Sequence, residues 1–122
     1  MYFCGHSLGA AATALIAHDF SDHFDMELVL FGCPNIGGQD FHTRFASNNV
    51  LVYNYVIEND IVPKLPFEQL GYTPLTDVVL LDSAYDASEV LKNHSMHTYI
   101  DELERMISIT SIKNQIRSQK MF

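Results

Sequence analysis

The opening stretch, MYFCGHSLGAAATALIAH, constrains the fold more than any other part of the chain. Met1 to Cys4 is apolar and suits the end of a buried strand, while Leu8 to His18 is Ala-rich, free of Pro and strongly helix-forming. Between them Gly5-His6-Ser7-Leu8-Gly9 reads as a tight strand-to-helix bend that lifts Ser7 above a sheet. Glycine is expected at both flanks, where a side chain would crowd the bend. A serine hydroxyl is a weak nucleophile until a base takes its proton. The N–H of Leu8, at the start of the helix, is placed to donate to an oxyanion.

The downstream segments continue the alternation. MELVLFG (26–32) is a β-rich run closed by the turn residues CPNIGG. QDFHTRFASN carries Phe41 and Phe45 four apart, on one helical face. NVLVYNYVIEND is the clearest strand, IVPKLPFEQLGYTPLT with its three prolines is an ordered loop, and DVVLLD is another short strand. SAYDASEVLKNH reads as irregular or partly helical, and the remainder as a final helix. Strand, helix, strand, helix, strand predicts an α/β fold with a mainly parallel sheet flanked by helices. Reactive groups in such sheets gather beyond the carboxyl ends of the strands. That rule places Ser7, the CPNIGG turn and the ENDIVP loop on one edge.

Composition narrows the function classes. The 122 residues suffice for one domain, and 48% apolar with 18% charged residues is a globular balance. A net charge of −8 argues against nucleic acid and against a polybasic grip on anionic lipid. No apolar run is long enough to span a membrane, and no signal peptide is visible, so a cytoplasmic setting is favoured. Cys4 and Cys33 form neither a disulfide framework nor a metal-ligand pattern, and both are expected reduced in a sheet interior. No metal cluster or nucleotide loop is visible, so no cofactor is expected.

On this kind of sheet a nucleophilic serine is followed in the chain by an Asp or Glu and then a His. Asp60, just past the best strand, fits the carboxylate, with Asp77 and Asp82 as rivals; strand alternation turns Glu58 elsewhere. For the base, His6, His18, His23 and His42 come too early, leaving His94 and His97. His94 sits in the loop-like KNH, from which an imidazole can lean toward Ser7, whereas His97 falls within the final helix. His6 is expected to pack beside the serine.

GHSLGAAA, FGCPNIGGQDF, VYNYVIENDIVPKLPF, LGYTPL and HSMHTYI together resemble the class 3 lipase family, the fungal-lipase-like branch of the α/β-hydrolases. The pieces run in the family's order and cover the chain to about Ile100. The resemblance implies a Ser7 nucleophile, Asp60 orienting the base, and His94 as the base, because the H-S-M-x-x-Y spacing ends at Tyr99. Ala10 stands where the family often has glycine, Ile61 where it often has proline, and Thr73 where histidine is common.

The resemblance further implies that residues 1–122 are one α/β-hydrolase domain without its N-terminal strands and lid, with 101–122 a helical tail. Relatives of this type are about twice as long or more. Their upstream half supplies the first strands, the lid and a second oxyanion donor beside that of Leu8. The implied activity is hydrolysis of a lipid ester through an acyl-serine, with transient contact with a lipid surface and completion by a missing half or partner chain. A non-catalytic remnant serving as a binding or structural module is the alternative.

Overall fold

Every β-rich run in the sequence is a strand. The computed structural model describes residues 1–120, with β1 at Tyr2–His6, β2 at Met26–Phe31, β3 at Val50–Ile57 and β4 at Val78–Leu81. All three pairings are parallel, in the order β1-β2-β3-β4. Helices α1 (Leu8–Phe20) and α2 (Gln39–Ala46) connect the first three strands. The proline-rich stretch before β4 contains two single 3-10 turns, Val62–Lys64 and Glu68–Leu70. After β4 come α3 (Val90–His94) and the long α4 (Met96–Lys120).

A parallel sheet needs cover on both faces. On one face Ala10, Ala11, Ala14 and Ala17 are the buried side of α1, and their small volume lets the helix lie close over Met26, Leu28 and Leu30. Burying Leu28 and Leu30 stabilises by about 2 kcal/mol each. Phe45 brings α2 onto the same cluster. On the other face the first turns of α4 bring Tyr99, Met96 and Leu103 against Phe31, Tyr55, Ile57 and Leu81. Residues 104–118 of α4 are exposed. Residues 101–120 of the helical tail expected over 101–122 continue α4 without a break, and Met121 and Phe122 lie outside the described residues.

The hydrogen-bond ladder runs on past the carboxyl ends of the strands. Ser7 N–H donates to the Phe31 carbonyl (3.0 Å), Gly32 N–H to that of Tyr55 (3.0 Å) and Glu58 N–H to that of Leu81 (3.0 Å). These three bonds fix the loops that follow β1, β2 and β3 side by side. Cys33 is buried, but Cys4 is exposed, contrary to expectation. β1 is an edge strand, and Cys4 pairs in register with Val29 on the face that α1 does not cover.

Candidate active site

Ser7 is the N-cap of α1 with φ 58° and ψ −127°, the one non-glycine residue with positive φ among the described residues. Such a backbone costs on the order of 1–3 kcal/mol and persists only where the surroundings impose it. Three hydrogen bonds impose it here: the Ser7 N–H bond to β2, and those from Ala10 and Ala11 N–H to the Ser7 carbonyl at 3.0 and 3.2 Å. Gly5 is required by the bend, because a Cβ there would lie 2.6 Å from the Gly9 carbonyl oxygen. Gly9 is not: a Cβ at that position meets nothing within 4 Å. The expectation that both glycines relieve crowding holds for the first alone. The Leu8 N–H precedes the bonds that α1 makes to itself and is open to an acceptor.

Asp60 follows β3 and is completely buried, with its N–H donating to the Ile57 carbonyl at 2.9 Å. One carboxylate oxygen, Oδ1, accepts the Val62 N–H at 3.0 Å. The other, Oδ2, accepts His94 Nδ1 at 2.8 Å and the Tyr99 hydroxyl at 2.6 Å. A buried carboxylate with three donors is stable without a full salt bridge. His94 Nε2 lies 2.6 Å from Ser7 Oγ. Because a carboxylate only accepts, Nδ1 carries the proton in the neutral ring, and the Nε2 lone pair faces the serine hydroxyl. Ser7, Asp60 and His94 are thereby joined in one hydrogen-bonded chain across 87 residues.

Sequence reasoning assigned no contact to three supporting positions. Tyr99, completely buried, also accepts the Ile57 N–H at 3.2 Å. Burial and the neighbouring Asp60 push its ionisation far above the usual tyrosine range, so the hydroxyl stays a donor. Gly32 has φ 58°, and a Cβ there would lie 3.0 Å from Asp60 Oδ2 and 3.2 Å from the His94 ring. His6, expected beside the serine, stacks on the His94 ring that meets Ser7 Oγ, with ring centroids 4.8 Å apart. The tyrosine signal was present in the H-S-M-x-x-Y spacing, which singled out His94 without assigning Tyr99 a contact.

His94 ends a short helix instead of lying in a loop. Lys92 and Asn93 are held in that helix because the Asn93 side chain is fully buried and donates to the Asp86 carbonyl at 2.8 Å. His97 is exposed, as are Glu58, Asp77 and Asp82. His18 stacks on Phe41 and Phe45, and buried His42 bonds the Thr73 carbonyl through Nε2 at 2.8 Å. An open cavity of about 820 Å³ lies against α2, lined by His42, Thr73, Asp77 and others. None of Ser7, Asp60 and His94 lines it.

Residues 1–70 match the family model described as Lipase (class 3). The chain belongs to the class 3 lipase family. The secreted mono- and diacylglycerol lipase 1 of Fusarium solani is 34% identical over 93 residues, covering 70% of this chain and 28% of that protein. The toxin TseL of Vibrio cholerae is 37% identical over 68 residues, covering 53% of this chain and 10% of that protein. Among solved structures, the Rhizomucor miehei triacylglyceride lipase superposes with a TM-score of 0.61 at 28% identity, over 66% of this chain and 32% of that one. The chain therefore corresponds to a minor part of each relative's length, and its fold is part of an α/β-hydrolase. Among the described residues no helix is long and apolar enough to cross a membrane.

Proposed function

We propose that this chain carries the catalytic edge of a serine ester hydrolase that acts on lipid esters. One observation carries the reading: the His94 ring bonds Ser7 Oγ and Asp60 Oδ2 at once, at 2.6 and 2.8 Å. Family membership supports the substrate class, since relatives are named as acylglycerol lipases and phospholipases. In this reading residues 1–122 act as one domain, and 101–122 as its tail.

Ser7 Oγ attacks the ester carbonyl carbon while His94 Nε2 takes the hydroxyl proton. The Leu8 N–H donates to the carbonyl oxygen as it becomes an oxyanion. Asp60 holds the ring by Nδ1 and stabilises the imidazolium without itself taking the proton. His94 then returns the proton to the leaving alcohol, and the C–O bond breaks to give an acyl-serine. Water, losing a proton to the same nitrogen, attacks the acyl carbon, and Ser7 leaves reprotonated. Acylation and release thus use one base and one nucleophile.

A single oxyanion donor sets the expected rate. Action without a second costs ~10²–10³ in turnover, so slow turnover is the expectation where Leu8 donates alone. The test is a fluorophosphonate probe, followed by a short p-nitrophenyl ester. The expected result is labelling that disappears in Ser7→Ala, with weak ester turnover. A demonstrably folded chain that takes no label would overturn the proposal in favour of a binding remnant.

A further inference from the structure

The base histidine stands at a chain corner, and the corner is closed by a residue from the other end of the molecule. α3 is only five residues long, and Ser95, with ψ 138°, turns the chain before α4 begins. A helix end leaves its last carbonyls without intrahelical partners. The Lys92 carbonyl is taken by the Thr98 hydroxyl at 2.6 Å and the Ser95 N–H at 3.3 Å. The carbonyl of His94 itself accepts from His6 Nε2 at 2.7 Å, across 88 residues. A carbonyl only accepts, so this contact requires the proton of His6 to be on Nε2.

The same imidazole stacks on the base. The His6 and His94 rings lie 4.8 Å apart at 30°, and the His6 ring meets Tyr99 edge-on at 6.0 Å. His6 thus grips His94 at both main chain and ring, directly beside the 2.6 Å contact to Ser7 Oγ. Its place in the chain makes this possible. As the last residue of β1 it shares the sheet face of Phe31 and Tyr55, onto which Tyr99 packs.

We propose that His6 is the positioning residue of the base: its Nε2–H bond to the His94 carbonyl holds the imidazole in reach of Ser7. This rests on the reading of Ser7, Asp60 and His94 as an acyl-transfer site. The hydroxyl-to-base distance tolerates little movement, since a misplacement of about 1 Å can cost ~10² in rate. The nucleophile and the clamp on its base are therefore adjacent residues of one turn. Any shift of β1 moves both together.

Two substitutions separate the bond from the ring. His6→Phe keeps a stacking ring and removes the donor, whereas His6→Gln keeps an N–H donor and removes the ring. The second-order rate of fluorophosphonate labelling at Ser7 is expected to fall roughly tenfold in His6→Phe and to recover to within about threefold in His6→Gln. Wild-type labelling by His6→Phe, or an equal fall in both variants, would overturn the proposal. A proton NMR readout stands apart from reactivity. The low-field resonance of the His94 Nδ1 proton, shared with Asp60, is expected to broaden or move in His6→Phe and to keep its position in His6→Gln. If wild type takes no label, the hydrolase reading fails while this resonance still judges the clamp. Should His6→Phe not fold, the wild-type His6 ring decides: a slowly exchanging Nε2 proton supports the clamp, and an Nδ1-protonated ring refutes it.

Discussion

The Tyr99 hydroxyl lies 2.6 Å from Asp60 Oδ2, on the carboxylate oxygen that also accepts His94 Nδ1. Burial keeps that hydroxyl protonated, so it donates to Asp60 at any working pH. Tyr99→Phe removes a hydrogen bond to a charged group and leaves the buried Ile57 N–H without an acceptor. A hydrogen bond to a charge is worth about 1.5–3 kcal/mol. The expected outcome is a lower thermal midpoint together with labelling of Ser7 slowed by roughly one to two powers of ten. Unchanged values of both would show that Asp60 is held by Val62 and His94 alone.

His94 and His97 are one helical turn apart in number but lie on two helices that Ser95 divides. His94→Ala removes the contact to Ser7 and is expected to abolish probe labelling. His97 is exposed, and His97→Ala is expected to leave labelling within about twofold. The opposite result in a folded pair of variants would transfer the role of base to His97.

Gly5 and Gly9 frame the elbow but answer to different constraints. Gly5→Ala drives a Cβ to 2.6 Å from the Gly9 carbonyl and 2.8 Å from Ala10 Cα, both backbone atoms that cannot rotate away. A loss of about 2 kcal/mol or more is expected. Gly9→Ala places its Cβ in open space inside a helix, where Ala is favoured by about 1 kcal/mol. Denaturant melts of the two variants should move in opposite directions.

The two cysteines differ in exposure. Burial pushes the Cys33 thiol up to about 12, whereas Cys4 is exposed. A raised value means less of the reactive thiolate at a given pH. Iodoacetamide at about pH 8 is expected to modify Cys4 in the native chain and Cys33 only on unfolding. Equal rates at the two positions would show that the Cys33 loop opens in the folded state.

What was legible in the sequence was local. The apolar β-rich runs 26–31 and 50–57 and the Ala-rich helix declare themselves by residue type, and Gly-x-Ser-x-Gly marks its own turn. Asp60 was reachable because it follows a strand that the pattern had placed, and His94 because the H-S-M-x-x-Y spacing singled it out over His97. The supporting contacts were not reachable that way. Tyr99 to Asp60 spans 39 residues and His6 to His94 spans 88, so neither leaves a periodicity to read. The short helix carrying His94 has no side-chain cap. What fixes it is Asn93 and Thr98 bonding to main chain, partners that only the folded chain brings together.

Ser7 itself is held in a conformation its side chain disfavours, with φ 58° and ψ −127°. Replacing it by Ala and by Gly removes the hydroxyl, and with it the contact to His94, in both variants. The pair then differs only by the Cβ. Ala retains the steric conflict, while Gly occupies that region without penalty. Gly also loses more freedom on folding, which offsets roughly 0.5–1 kcal/mol of the relief. With a strain on the order of 1–3 kcal/mol, Ser7→Gly is expected to be about 1 kcal/mol more stable than Ser7→Ala. Urea denaturation of both variants measures the difference directly, and neither should take the probe. If Ser7→Ala proves the more stable, the elbow holds no strain, and its geometry is set by α1 and β2 without cost to the serine.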